Sequence, residues 1–170
     1  AAASRRAADL TRQLLAFGRG QTLIPVILDL NATIDELIPI IKPQLAPTID
    51  LVTQLSPELP PIRADRAQVI AALTNLTVNA VESMPHGGTI TIATDATETD
   101  SRLRSDHPWL RPGSFVRVQV TDSGPLVDRD TLAQLFEPFV NRGGDTGPTS
   151  LTLSSVYGIV KQSGGFIWAE

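Results

Sequence analysis

The chain contains no cysteine in 170 residues, which excludes disulfides and thiolate metal sites and leaves the fold to its core. It has two histidines, His86 and His107, in separate turn-like contexts, too few for a histidine-rich metal centre. Aromatic residues make up only 5% against a hydrophobic content of 42%, so the core is expected to be aliphatic. A basic excess is also missing. Lys+Arg number 14 against 18 Asp+Glu, a net charge of -4, and nucleic acid is not an expected partner. No apolar run reaches the length needed to cross a bilayer, and Arg5, Arg6, Arg12 and Arg19 are spread through the N-terminal stretch, unlike a signal peptide. The expected setting is cytoplasmic, with no direct membrane contact from this segment.

What is present is most concentrated between Asp65 and Met84. Asp65 is an N-cap candidate ahead of the apolar set Val69, Leu73, Leu76 and Ala80, which predicts an amphipathic helix. Asn75 and Asn79, four residues apart, share one face of it at the margin of the buried stripe. An amide oxygen there can ligate a hard cation; two helix-surface asparagines fit that segment equally well. Three further segments follow: Val118-Gln119-Val120-Thr121-Asp122-Ser123-Gly124, then Leu135-Phe136-Glu137-Pro138-Phe139, then Val156-Tyr157-Gly158-Ile159-Val160-Lys161-Gln162-Ser163-Gly164-Gly165. Asp122 closes a strand, so its carboxylate needs donors, and the exocyclic amine of a base is one such donor. Taken alone, Asp122-Ser123-Gly124 also reads as an ordinary turn.

The elements around these segments follow from periodicity. Ala3, Ala7, Leu10, Leu14 and Phe17 recur at alternating four- and three-residue steps, a narrow seam for burial against other helices, and Gly18 and Gly20 end it. Residues 24–28 read as a strand and 32–44 as a helix capped by Asp29 or Asn31, with Pro39 and Pro43 expected to kink or shorten it. Strands are expected over 49–55, 89–94, 115–121 and 166–169, with a stiff connector over 57–61 and a turn over 85–88. Residues 97–113 form a polar insertion containing Trp109. Asp128 or Asp130 caps a short helix to about residue 136; 141–149 is a mobile loop, and 153–162 is the last helix. This alternation gives an α+β chain, a two-layer α/β sandwich with a mixed sheet and helices on one face.

In their order and spacing, the four motif segments resemble the catalytic and ATP-binding domain of sensor histidine kinases, within the wider group that includes gyrase B, Hsp90 and MutL. The resemblance covers residues 23–170, and residues 1–22 resemble the second helix of the dimerisation and phosphotransfer hairpin that precedes such domains. It implies the Bergerat ATP-binding fold, a final strand that is truncated here, and nucleotide contacts at Asn75, Asn79, Asp122 and Gly124. Asn79 matches the residue that holds magnesium, and Asp122 the residue that meets the adenine amine. It also implies a homodimer through the N-terminal helix and a response regulator or receiver domain as partner. The phosphoacceptor histidine is expected upstream of Ala1, since neither His86 nor His107 lies on the bundle helix.

Three departures narrow that expectation. Asn75 stands where the gyrase and Hsp90 branches carry a glutamate base, and an amide cannot act as one, which favours the kinase branch. The second glycine after Asp122 is replaced by Leu126, preceded by Pro125. The glycines of the phosphate loop fall on Pro148, Ser150 and Thr152, and Arg142 is the nearby cation where a lysine often stands close to Gly143. That loop works by bare backbone N–H groups, and Pro148 removes one outright. Two function classes follow: a degenerate domain with weak or no ATP binding that acts through protein contacts, or an active ATP-dependent kinase that passes phosphate to a response regulator.

Overall fold

The computed structural model describes residues 23–133, 135, 136 and 149–170. The helical seam at Ala3 to Phe17 and the loop over 141–148 lie outside these residues. The chain opens with strand β1 (Val26–Leu28) and helix α1 (Leu30–Ile41), which runs on into a 3-10 turn (Lys42–Gln44). Then follow β2 (Ile49–Leu55), β3 (Ile62–Ala64), the long helix α2 (Arg66–Ser83) and β4 (Gly88–Glu98). Helix α3 (Ser101–Asp106), β5 (Ser114–Asp122), α4 (Arg129–Ala133) and α5 (Thr149–Gln162) complete the described elements.

The strands form two sheets. β1 pairs antiparallel with β3, while β2, β4 and β5 lie side by side, β2 parallel and β5 antiparallel to the central β4. The larger sheet is therefore mixed, as expected. Its buried face carries Ile49, Leu51, Ile90 and Ile92, which meet Leu30, Ile34, Leu37 and Ile41 of α1 and Leu73 and Ala80 of α2. Ile34, Ile90 and Ile92 are each 0% exposed, so the aliphatic core sits between sheet and helices. Helix α5 lies against α2 and buries Leu153 and Val156.

Local chemistry explains most boundaries. Asp29, not Asn31, caps α1 by accepting from Ala32 N at 3.0 Å. Asn31 instead donates to Ser56 O at 2.7 Å and accepts from Thr94 Oγ1 at 2.8 Å, tying the start of α1 to the end of β2 and the middle of β4. The helix ends at Ile41, before the expected residue 44, and Pro43 falls in the 3-10 turn that replaces its last turn. Asp65 caps α2 through Gln68 N at 3.2 Å and also accepts from Ile24 N at 2.9 Å. Arg66, at the first position of α2, forms an ion pair with Glu36 of α1. Asp128 caps α4 through Thr131 N at 2.9 Å, and that helix stops at Ala133, short of residue 136.

The structure also corrects the sequence reading over 62–64, 97–113 and 166–169. β3 was concealed because three residues between a proline connector and a helix cap carry too little alternation to read. The polar insertion holds α3, capped by Asp100 accepting from Leu103 N at 2.7 Å. Residues 166–169 have strand composition but no ladder partner among the described residues. Their rings pack sideways instead: Phe166 lies 5.8 Å from Trp109 and 5.6 Å from Phe115, and Trp168 lies 4.5 Å from His107.

Candidate functional site

Alternation along β5 sends Val116, Val118 and Val120 to the core side, and Asp122 is the next residue on that same face. Asp122 pairs with Ile90, which is fully buried. A carboxylate on the core face of a sheet must find donors. Two converge on one oxygen: Ser83 Oγ at 2.9 Å and Gly124 N at 2.9 Å both donate to Asp122 Oδ1. Among the described residues no donor reaches Oδ2, which leaves it as an acceptor for a ligand.

Gly124 is required by this geometry. A Cβ built there would lie 2.6 Å from Asp122 Oδ1, 2.8 Å from Ser83 Oγ and 3.1 Å from Ser83 O, so any side chain would break the cradle. The turn that delivers β4 to the site has the same character. Gly87 has φ of 95°, and a Cβ there would lie 2.5 Å from Thr48 O. Beyond Gly124 the chain turns out to solvent, and Leu126 is fully exposed.

Helix α2 supplies the other wall. Asn75, Asn79 and Ser83 follow at four-residue steps, so they form one line along the helix that ends at Asp122. Asn75 and Asn79 are both half-buried, at the margin of the apolar stripe as expected. Asn75 is engaged by its neighbour: its Nδ2 donates to Ser155 Oγ of α5 at 2.9 Å. The structure thus brings Ser83, Asp122 and Gly124 together, with Asn79 one helix turn before Ser83 and Asn75 at the junction of two helices. No group of three or more His, Cys, Asp or Glu suited to a metal occurs among the described residues. A cation here would need neutral oxygens such as the Asn79 amide, together with ligand oxygens.

The phosphate side differs. Pro148 lies outside the described residues. Helix α5 begins at Thr149, four residues before the expected start, and includes Ser150 and Thr152 in its first turn. Residues with side chains at the former glycine positions permit helix where glycines disfavour it. The acceptor at Asp122 fits an amine donor such as that of a base.

The class of protein can now be stated. A profile of the family described as "Histidine kinase-, DNA gyrase B-, and HSP90-like ATPase" matches residues 64–170, and the chain belongs to that family. Within it the chain is a histidine kinase domain of the two-component type. Sensor kinase CckA of Brucella abortus (strain 2308) is 38% identical over 167 residues, which cover 98% of this chain and 18% of that protein. The chain therefore spans under a fifth of that relative. The nucleotide-free catalytic domain of histidine kinase ThkA superposes with a TM-score of 0.67 at 27% identity, over 86% of each chain. Histidine kinase ThkA in complex with response regulator protein TrrA gives a TM-score of 0.72 at 24% identity, over 98% of this chain and 43% of that one, and supports the fold.

Sequence reasoning missed Ser83 and Ser155. Ser83 continues the 75, 79 spacing by one more step, a signal that was present; Ser155 has none, because only packing of α5 on α2 brings it to Asn75.

Proposed function

We propose that this domain is a histidine kinase-type signalling module that retains the base and metal ends of the nucleotide site, has lost its phosphate grip, and acts chiefly through protein contacts. The observation that carries this reading is the replacement of three loop glycines by Pro148, Ser150 and Thr152. Each lost backbone contact to phosphate is a charge-assisted hydrogen bond worth roughly 1.5–3 kcal/mol, so a few losses move affinity from micromolar to about millimolar. At the retained end, Asp122 accepts the exocyclic amine of adenine, and the backbone at Gly124 allows the ring to approach. Asn79 holds magnesium through its amide oxygen, and Asn75 braces α2 against α5 beside it. Bound magnesium-ATP supplies an activated phosphoryl group, and the domain's own residues orient the nucleotide and its metal.

The partners that fit this reading are a second copy of the chain, joined through residues 1–22, and a response regulator or receiver domain. ThkA, a relative in fold, has been crystallised with such a regulator. One observation favours the alternative of an active, autophosphorylating kinase: the intact Asp122, Ser83 and Gly124 cradle. Calorimetric titration of the whole chain with magnesium-ATP and magnesium-ADP separates the two. Binding at about millimolar or weaker is expected. Low-micromolar binding by the unmodified protein would overturn the degenerate reading in favour of the active one. Restoring glycine together at Pro148, Ser150 and Thr152 is expected to tighten binding at least tenfold, recovering about one charge-assisted bond.

A further inference from the structure

The geometry points to Ser83 as a positioning residue for base recognition, acting through Asp122 and not on the ligand itself; this rests on the reading of Asp122 as the base acceptor. Ser83 is the last residue of α2 and lies 39 residues from Asp122 in sequence, yet its Oγ is 2.9 Å from Asp122 Oδ1. The same Oγ lies 2.8 Å from Ala80 O, one turn earlier on the helix, so its single hydrogen is shared between that carbonyl and the carboxylate oxygen. A carboxylate rotates about its last torsion unless something holds it. Here two donors, Ser83 Oγ–H and Gly124 N–H, fall on the same oxygen. Oδ1 is thereby occupied, and among the described residues no donor bonds Oδ2.

That arrangement sets the chemistry of the ligand. A carboxylate oxygen with no proton to give selects a ring amine over a ring carbonyl, so Ser83 contributes to preference for a 6-amino purine over a 6-oxo purine. Without the hydroxyl, Asp122 keeps only the Gly124 amide and can turn Oδ2 into the space that Ser83 vacates. Affinity for the amino base then falls, while the fold, held by Ile90 and its neighbours, persists. The threonine side chain carries the same hydroxyl and serves as the conservative replacement.

The test uses the whole chain, and its readout is calorimetry with adenosine and inosine. The parent is expected to prefer adenosine; Ser83→Ala is expected to lose roughly tenfold in adenosine affinity, about one charge-assisted hydrogen bond, with inosine unchanged and Ser83→Thr restoring the preference. An intact adenosine preference in Ser83→Ala, or a loss that Ser83→Thr does not restore, would overturn the role of Ser83 alone. No adenosine preference in the parent would overturn the base-binding reading of Asp122, and with it the use of Ser83.

Discussion

Asp122 occupies a position where strand alternation calls for another valine, and a carboxylate there is tolerated because two donors meet it. On the proposed reading, the contributions of base and metal are separable by substitution. Asp122→Asn is expected to weaken ADP and adenosine alike, whereas Asn79→Ala should weaken ADP only when magnesium is present; calorimetry with and without the metal distinguishes them. Equal binding by both variants and the parent would show that neither residue is used. Asp65 gives a second residue-scale prediction. Hydrogen bonds from the Ile24 and then the Gln68 backbone amides hold its carboxyl below the usual aspartate value. A depressed folded-state value means that its contribution is complete above the unfolded value of about 3.9 and is lost as pH falls through the folded one. Asp65→Asn, which keeps an acceptor oxygen, should flatten that acid loss in thermal melts taken from pH 6 downward. Caps such as Asp65 were legible because their chemistry lies within three residues. Ser83 was not, because its partner is 39 residues away and only the folded sheet brings them together.

At the scale of elements, patterns long enough to repeat are legible in the sequence, and short or unpartnered ones are not. β2 was placed over its full length, and α2 to within a residue or two, since seven and eighteen residues carry several periods. β3, with three residues, carries less than two, and 166–169 shows that strand composition without a neighbouring edge does not make a strand. Helix α5 starts at Thr149, four residues ahead of the expected 153, because no helix-breaking residue follows Pro148 before it. Since the sheet and α1 share one core at Ile34, Ile90 and Ile92, cutting a side chain there should affect the whole fold. Ile92→Ala is expected to cost about 2–5 kcal/mol in urea unfolding, with Asp95→Ala, at a half-exposed ion pair with Arg117, costing under about 1 kcal/mol. Similar losses for the two would mean that the sheet does not share its core with the helices.

For the molecule as a whole, the open question is how the domain is carried into an assembly. The seam of Ala3, Ala7, Leu10, Leu14 and Phe17 lies outside the described residues, but its spacing is that of a helix needing an apolar partner. Its exit into the domain is fixed: Ile24 N donates to Asp65 Oδ2 at 2.9 Å, so the chain leaving residues 1–22 is fastened to the cap of the helix that bears Asn75 and Asn79. Association along the seam would then hold two sites in a defined relation to their shared helices. Two chains meeting through a seam of five apolar positions bury little area, so a concentration-dependent dimer is expected, and not a permanent one. Leu10→Glu combined with Leu14→Glu places charge at the centre of the seam. It should yield a monomer across the concentration range in sedimentation velocity, with the thermal transition of the α/β domain unmoved because none of its core residues is touched. If the parent itself stays monomeric at high concentration, the seam is no assembly surface and packs within its own chain. In that case the double substitution should lower the domain's melting temperature instead, so the two measurements together assign the helix to one role or the other.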